Sequence, residues 1–156
     1  MKKFALALVA VFVLSAACGG GGTPDQVVKK LFEAFENADG DAVVACLSEE
    51  ALEDMNENVE ELRESPEESV AFFAMMNIEI TEDEIENMTA GDLVSAILGS
   101  EVFTEEMPDF SNVEIGEAII DEEDAKVLVT IDGDTEEFEL VLEDGNWKID
   151  DGMNFM

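Results

Sequence analysis

Residues 126–134 read Lys126-Val127-Leu128-Val129-Thr130-Ile131-Asp132-Gly133-Asp134. Val127, Val129 and Ile131 fall on every second position, with Lys126, Leu128 and Thr130 between them. A period of two is a strand with one apolar face, and Asp132-Gly133-Asp134 is a hairpin signal. On the return, Phe138, Leu140 and Leu142 alternate with acids. Asp144-Gly145 with Asn146 marks a second turn, and Trp147-Lys148-Ile149 a last strand. Upstream, Val113 to Ile120 predicts one more strand, with Gly116 as a candidate bulge. Four consecutive strands with short connections make an antiparallel sheet, apolar on one face only, so something must cover that face.

The helices that can cover it come first. Thr23-Pro24-Asp25-Gln26 is a capping box with Pro at the first helical position. Val27, Val28, Leu31, Phe32 and Phe35 follow at helical spacing, and Asn37-Ala38-Asp39-Gly40 ends the helix. Asp41 is the expected cap of a short second helix carrying Val43, Val44 and Leu47. Ser48 opens a third, with Leu52, Met55, Val59 and Leu62 on one face. Ser65-Pro66-Glu67-Glu68 predicts another Pro-containing capping box and a helix with Val70, Phe73, Ala74 and Met76 inward. Ile78-Glu79-Ile80 reads as a short extended piece. Thr81 with Glu84, and Thr89 with Asp92, cap two further short helices. The second holds Leu93, Val94, Ile97 and Leu98 and closes at Gly99. Helices first and sheet second predicts one α+β domain over residues 23–156, with N-terminal helices packed on a four-stranded antiparallel sheet.

Residues 1–17 have a different grammar. Lys2 and Lys3 precede an unbroken apolar run from Phe4 to Leu14, followed by Ser15-Ala16-Ala17-Cys18. This is the pattern of an export signal with small residues at the cut. The run is short of the roughly 20 apolar residues a spanning helix needs. Leu14-Ser15-Ala16-Ala17-Cys18 resembles the lipobox of bacterial lipoproteins, in its looser form with Ser three residues before Cys. That resemblance implies a signal peptide over 1–17, diacylglycerol on the Cys18 thiol, and Gly19–Gly22 as a flexible tether over 18–22. An ordinary secretory signal would cut at the same bond, but would leave the cysteine unexplained.

The formal charge is −33, from 40 acidic and seven basic residues. Outside the leader the bases are Lys29, Lys30, Arg63, Lys126 and Lys148. Nucleic-acid binding needs a basic surface to displace phosphate counterions, and this chain has too few cations for one. Electrostatic docking on anionic headgroups is excluded for the same reason. Three readings of the acid remain: a self-repelling surface that keeps the chain dispersed, adaptation to high salt, or divalent-cation binding. Against the last, neither Asp39-Gly40-Asp41 nor Asp132-Gly133-Asp134 continues into a calcium loop; a helix cap and a hairpin turn account for both. No metal ligand set is therefore assigned. Lys148 and Arg63 are expected to pair with surrounding acids.

Taken together, Thr23-Pro24-Asp25-Gln26-Val27-Val28 with Phe32 and Phe35, the Asp39-Gly40-Asp41 break, Leu47-Ser48-Glu49-Glu50, and the closing Asp144-Gly145-Asn146-Trp147-Lys148-Ile149 form a recognisable set. They resemble a family of small bacterial lipoproteins with an uncharacterised domain of the nuclear-transport-factor-2-like (cystatin-like) fold. The similarity covers about residues 23–60 and 111–150; the segment 61–110 is longer and more helical than in the simplest members. The resemblance implies a cone: a curved sheet wrapped around the N-terminal helices and enclosing a cavity. Phe32, Phe35, Phe138 and Trp147 are then candidate pocket lining, although the same spacing suits a plain core. Some proteins of this fold are enzymes and many are not.

Catalytic chemistry finds little support. The chain has no His and no Tyr, which removes the commonest general base and a phenol donor. A buried carboxylate could still act as a base, but no position stands out. Ser-His and Cys-His pairs are impossible, zinc lacks its ligands, and no cofactor motif appears. Cys46, in the apolar run Ala42-Val43-Val44-Ala45-Cys46-Leu47, reads as a small buried hydrophobe. The expected function is a lipid-anchored, extracytoplasmic, non-enzymatic domain of the cell envelope. It would sit on the outer face of the cytoplasmic membrane or on the outer membrane, and bind a small apolar ligand or an envelope protein. The alternatives are an acidic envelope protein without a pocket and a carboxylate-dependent enzyme of the same fold. If Cys18 carries the anchor, palmitate label supplied to growing cells enters the wild-type chain and is absent from Cys18→Ala; label retained in the variant overturns the assignment.

Overall fold

The computed structural model describes residues 22–101, 103 and 110–151. The leader 1–17, Cys18 and Gly19–Gly21 of the tether lie outside the described residues. Among the described residues the fold is α+β: six α-helices and then an open five-stranded antiparallel sheet.

The sheet consists of β1 (Glu114–Ile115), β2 (Ile119–Asp121), β3 (Asp124–Ile131), β4 (Asp134–Glu143) and β5 (Asn146–Asp151). It runs β1-β3-β4-β5, with β2 also on the free edge of β3. The expected single strand over Val113–Ile120 is thus two strands, and the sheet has five rather than four. Ile115 pairs with Val129 and Ile119 with Lys126. Four steps along this edge therefore match three along β3, which is a one-residue bulge. Gly116 sits in it; its amide donates to the Leu128 carbonyl at 2.8 Å, and a Cβ there would lie 3.0 Å from the same oxygen. Both long hairpins close through two residues at positive φ, Asp132 (53°) with Gly133 (96°), and Asp144 (50°) with Gly145 (79°). Turns of that hand match the strand twist.

Alternation then sorts the faces. Ala125, Val127, Val129 and Ile131 of β3, Phe138 and Leu140 of β4, and Ile149 of β5 are buried on the inner face. On the outer face the Lys126 ammonium bonds Glu137 at 2.5 Å and Glu139 at 2.6 Å, and the Thr130 and Thr135 hydroxyls meet at 3.0 Å. Helix α1 (Pro24–Glu36) covers the inner face. It buries Val28, Leu31, Phe32 and Phe35 there, each worth about 1.5–3 kcal/mol relative to exposure.

The remaining helices are α2 (Gly40–Cys46), α3 (Glu49–Glu64), α4 (Pro66–Met75), α5 (Glu82–Asn87) and α6 (Ala90–Leu98). Three local expectations change. Asp39, not Asp41, caps α2: its Oδ1 accepts the Ala42 amide at 3.0 Å, because the helix begins at Gly40 and a cap must precede the first helical residue. Ser65 starts α4 without a side-chain cap bond, and Ala74 is exposed; Ser69 and Phe73, four apart, form its buried edge. Ile78-Glu79-Ile80 joins no sheet, and Ile78 and Ile80 instead pack on a second cluster of Val59, Phe73, Ile85, Met88, Ala90 and Leu93. The capping boxes at Thr81 and Thr89 are formed as expected. The Thr81 and Thr89 donors hold the Glu84 and Asp92 carboxyls below the usual carboxylate range.

Polar contacts add to the packing of α1 in tying the helices to the sheet. Ser48, fully buried, donates through its amide to the Ile149 carbonyl at 2.8 Å and through its hydroxyl to Asp150 at 2.7 Å. The same hydroxyl accepts the Ala51 amide at 3.1 Å and so caps α3. Within the helical half, α2 crosses α6. Gly40 and Gly91 bring the two backbones together there, and the Gly40 amide bonds the Ser95 hydroxyl at 2.9 Å. A Cβ on Gly40 would fall on the Gly91 carbonyl and 2.6 Å from the Ser95 amide. Gly40→Ala should therefore destabilise by about 2–3 kcal/mol in chemical denaturation despite the better helix propensity of Ala. Gly99→Ala, whose nearest neighbour is 3.2 Å away, should stay within about 0.5 kcal/mol of wild type.

Candidate functional groove

One edge of the apolar arc of α1 borders a groove. Val27, Lys30, Ala34 and Asn37 follow one another at spacings of three, four and three, so they share a face. Ala42, Ala45 and Cys46 of α2 stand opposite, and Asn146, Trp147 and Lys148 at the start of β5 close the end. With Glu33 and Asp39 at the margin they line a groove of about 530 Å³. Volumes of this size hold small organic molecules.

The charges around it are unevenly occupied. Glu33 pairs with Lys29 at 3.7 Å, and Asp39 is engaged as the α2 cap. Lys148 donates to the Ala45 carbonyl at 2.6 Å. That oxygen lies in the last turn of α2, where a cation satisfies an open carbonyl and meets the negative end of the helix dipole. Arg63 does the same for the Met88 carbonyl at the end of α5. The carboxylate partners expected for Lys148 and Arg63 are thus replaced by helix ends. Among the described residues neither Lys30 nor Lys148 has a carboxylate within 4 Å.

Of the four candidate pocket residues, Trp147 lines the groove. Phe32, Phe35 and Phe138 are 4%, 5% and 0% exposed. The Phe32 ring lies 5.9 Å from Phe35 and 5.8 Å from Phe138, edge to face in both cases. They fill the space under the sheet with one another, because α1 sits close on the inner face. A second hollow of about 560 Å³ lies against β2, β3 and β4, but Asp121, Asp124, Glu139 and Asp150 border it, and its one cation, Lys126, already holds two carboxylates. No family model, curated protein or solved structure matches the chain.

Among the described residues, two groups could be reactive. No described Asp or Glu is fully buried. Glu136 comes nearest: it pairs with Val129 and so faces inward, with Oε2 buried and without a hydrogen-bond partner among the described residues. It does not line the groove. Cys46 forms part of the groove floor as a free thiol, 8% exposed. Burial pushes its pKa up, and the charges of Lys148 and then Lys30 pull it back only in part. The thiolate is the nucleophile, so Cys46 should be inert in the folded state. In a Cys18→Ala background, Ellman's reagent should modify native Cys46 at least about tenfold more slowly than the urea-unfolded chain; equal rates would show an open, activated thiol.

Proposed function

We propose that this chain is a lipid-anchored, extracytoplasmic binding domain that catalyses no reaction and uses the α1–α2–β5 groove as its ligand face. Lipid on Cys18 would hold it to the outer face of the cytoplasmic membrane or to the outer membrane. One observation carries the binding reading: a chain with seven bases places two of them, unpaired with carboxylates, beside its only tryptophan in one groove. The relation to lipoproteins with a nuclear-transport-factor-2-like domain is supported by the Ser15-Ala16-Ala17-Cys18 motif and by the order of a capped helix, then a one-sided antiparallel meander. Because Phe32, Phe35 and Phe138 are buried against one another, this reading uses the α1–α2–β5 groove and not the space under the sheet. No cofactor enters this reading.

Native mass spectrometry of the chain extracted from its own membrane tests it. The wild type should retain a bound small molecule or partner, and Trp147→Ala should lose it. A wild-type chain recovered bare under conditions that preserve its lipid would overturn the binding reading.

A further inference from the structure

We infer that the groove takes a small organic monoanion with a short apolar body, a medium-chain carboxylate being the simplest example. The charged end would lie between Lys30 and Lys148, and the body along Trp147, Ala42 and Ala45. This rests on the groove being the ligand face and adds the chemistry of what it holds.

The argument begins with occupancy. In a chain carrying 40 acidic residues, an ammonium readily finds a carboxylate. Lys29 has Glu33, and Lys126 has Glu137 and Glu139. Among the described residues Lys30 and Lys148 have none, and both line the same groove. The two acids at its margin are engaged elsewhere, Glu33 with Lys29 and Asp39 with the Ala42 amide. Lys148 is also held in place: one N–H goes to Ala45, which leaves two donors of the ammonium for a ligand.

The walls set the rest of the molecule. Val27, Ala34, Ala42, Ala45 and Cys46 offer no charge and little hydrogen bonding, and Trp147 offers a broad apolar face. A cation would meet two ammonium groups. A neutral apolar molecule would strip water from them and return nothing. A ligand with one anionic end and an apolar body satisfies both parts of the groove. The acidic surface opposes approach at long range, but at 0.15 M ionic strength the screening length is about 8 Å, and only the nearest charges act on the bound anion.

Trp147 is the only tryptophan, so its emission reports on the groove directly. Octanoate, 1-octanol and octylammonium are titrated into the full chain in 0.15 M salt. Octanoate should give a saturable change, with 1-octanol at least about tenfold weaker and octylammonium without effect. Lys30→Gln, on an exposed position, should weaken octanoate by about tenfold and leave 1-octanol unmoved. Lys148→Arg keeps the charge and should bind within about threefold of wild type. If 1-octanol or octylammonium binds as well as octanoate, the anionic class is wrong while the groove stands as a binding face. If none of the three moves Trp147, the inference fails in full, and the extraction experiment alone then decides whether anything binds.

Discussion

A sheet that is apolar on one face cannot stand alone in water, and everything else in this structure follows from covering it. Val127, Val129, Phe138, Leu140 and Ile149 present the surface, and α1 meets it with Val28, Leu31, Phe32 and Phe35. Phe32 touches Phe35, Phe110 and Phe138 at ring separations of 5.4–5.9 Å, and such edge and tilted contacts add to simple burial. Val27 and Ala34 lie at the buried edge of the apolar arc of α1. Lys30 and Asn37 extend that edge outward, and α2 and β5 turn it into a groove.

Polar contacts also tie the helices to the sheet. Ser48 links β5 to the start of α3 with three hydrogen bonds, and Glu143 adds a carboxylate at the same helix start, accepting the Glu49 amide at 3.0 Å. An anionic group is favourable there because the first amides of a helix are unpaired and carry its positive end. Within the helical half, α2 crosses α6 at a distance only glycine permits. Together these set where α2 ends, and the end of α2 is where Lys148 finds its carbonyl. The position of the groove cation thus depends on a serine and two glycines that never touch the groove.

The charge acts on a different scale. Acids spread over every helix and the outer sheet face, and no described carboxylate sits fully buried, although Glu136 turns one oxygen inward. In such a surround the two lysines without a carboxylate matter because they share one groove. The same logic separates the groove from the hollow on the sheet, where carboxylates outnumber and neutralise the single cation.

Local chemistry was written in the sequence. Capping at Thr23, Ser48, Thr81 and Thr89, the two positive-φ hairpins, and the inner residues of β3 and β4 all depend on neighbours within a few positions, so periodicity and turn residues reveal them. The bulge at Gly116 was legible, but its effect, two short strands in place of one, was not. Nor was the Asp121–Asp124 hairpin, whose turn holds Glu122 at φ 58° without a glycine to announce it. Trp147 was legible as a candidate for the ligand face, but Phe32, Phe35 and Phe138 could not be told from pocket lining, since spacing gives the face of an element and not the closeness of the one opposite. Lys30 and Lys148 were invisible as a pair. They lie far apart in the chain, and what distinguishes them is a missing carboxylate and a helix end supplied from elsewhere. The sequence by itself determined the elements, their caps and the apolar face that had to be covered. Tertiary structure alone decided how tightly α1 sits on that face and which charges share a groove, because both depend on contacts between segments that no local pattern encodes.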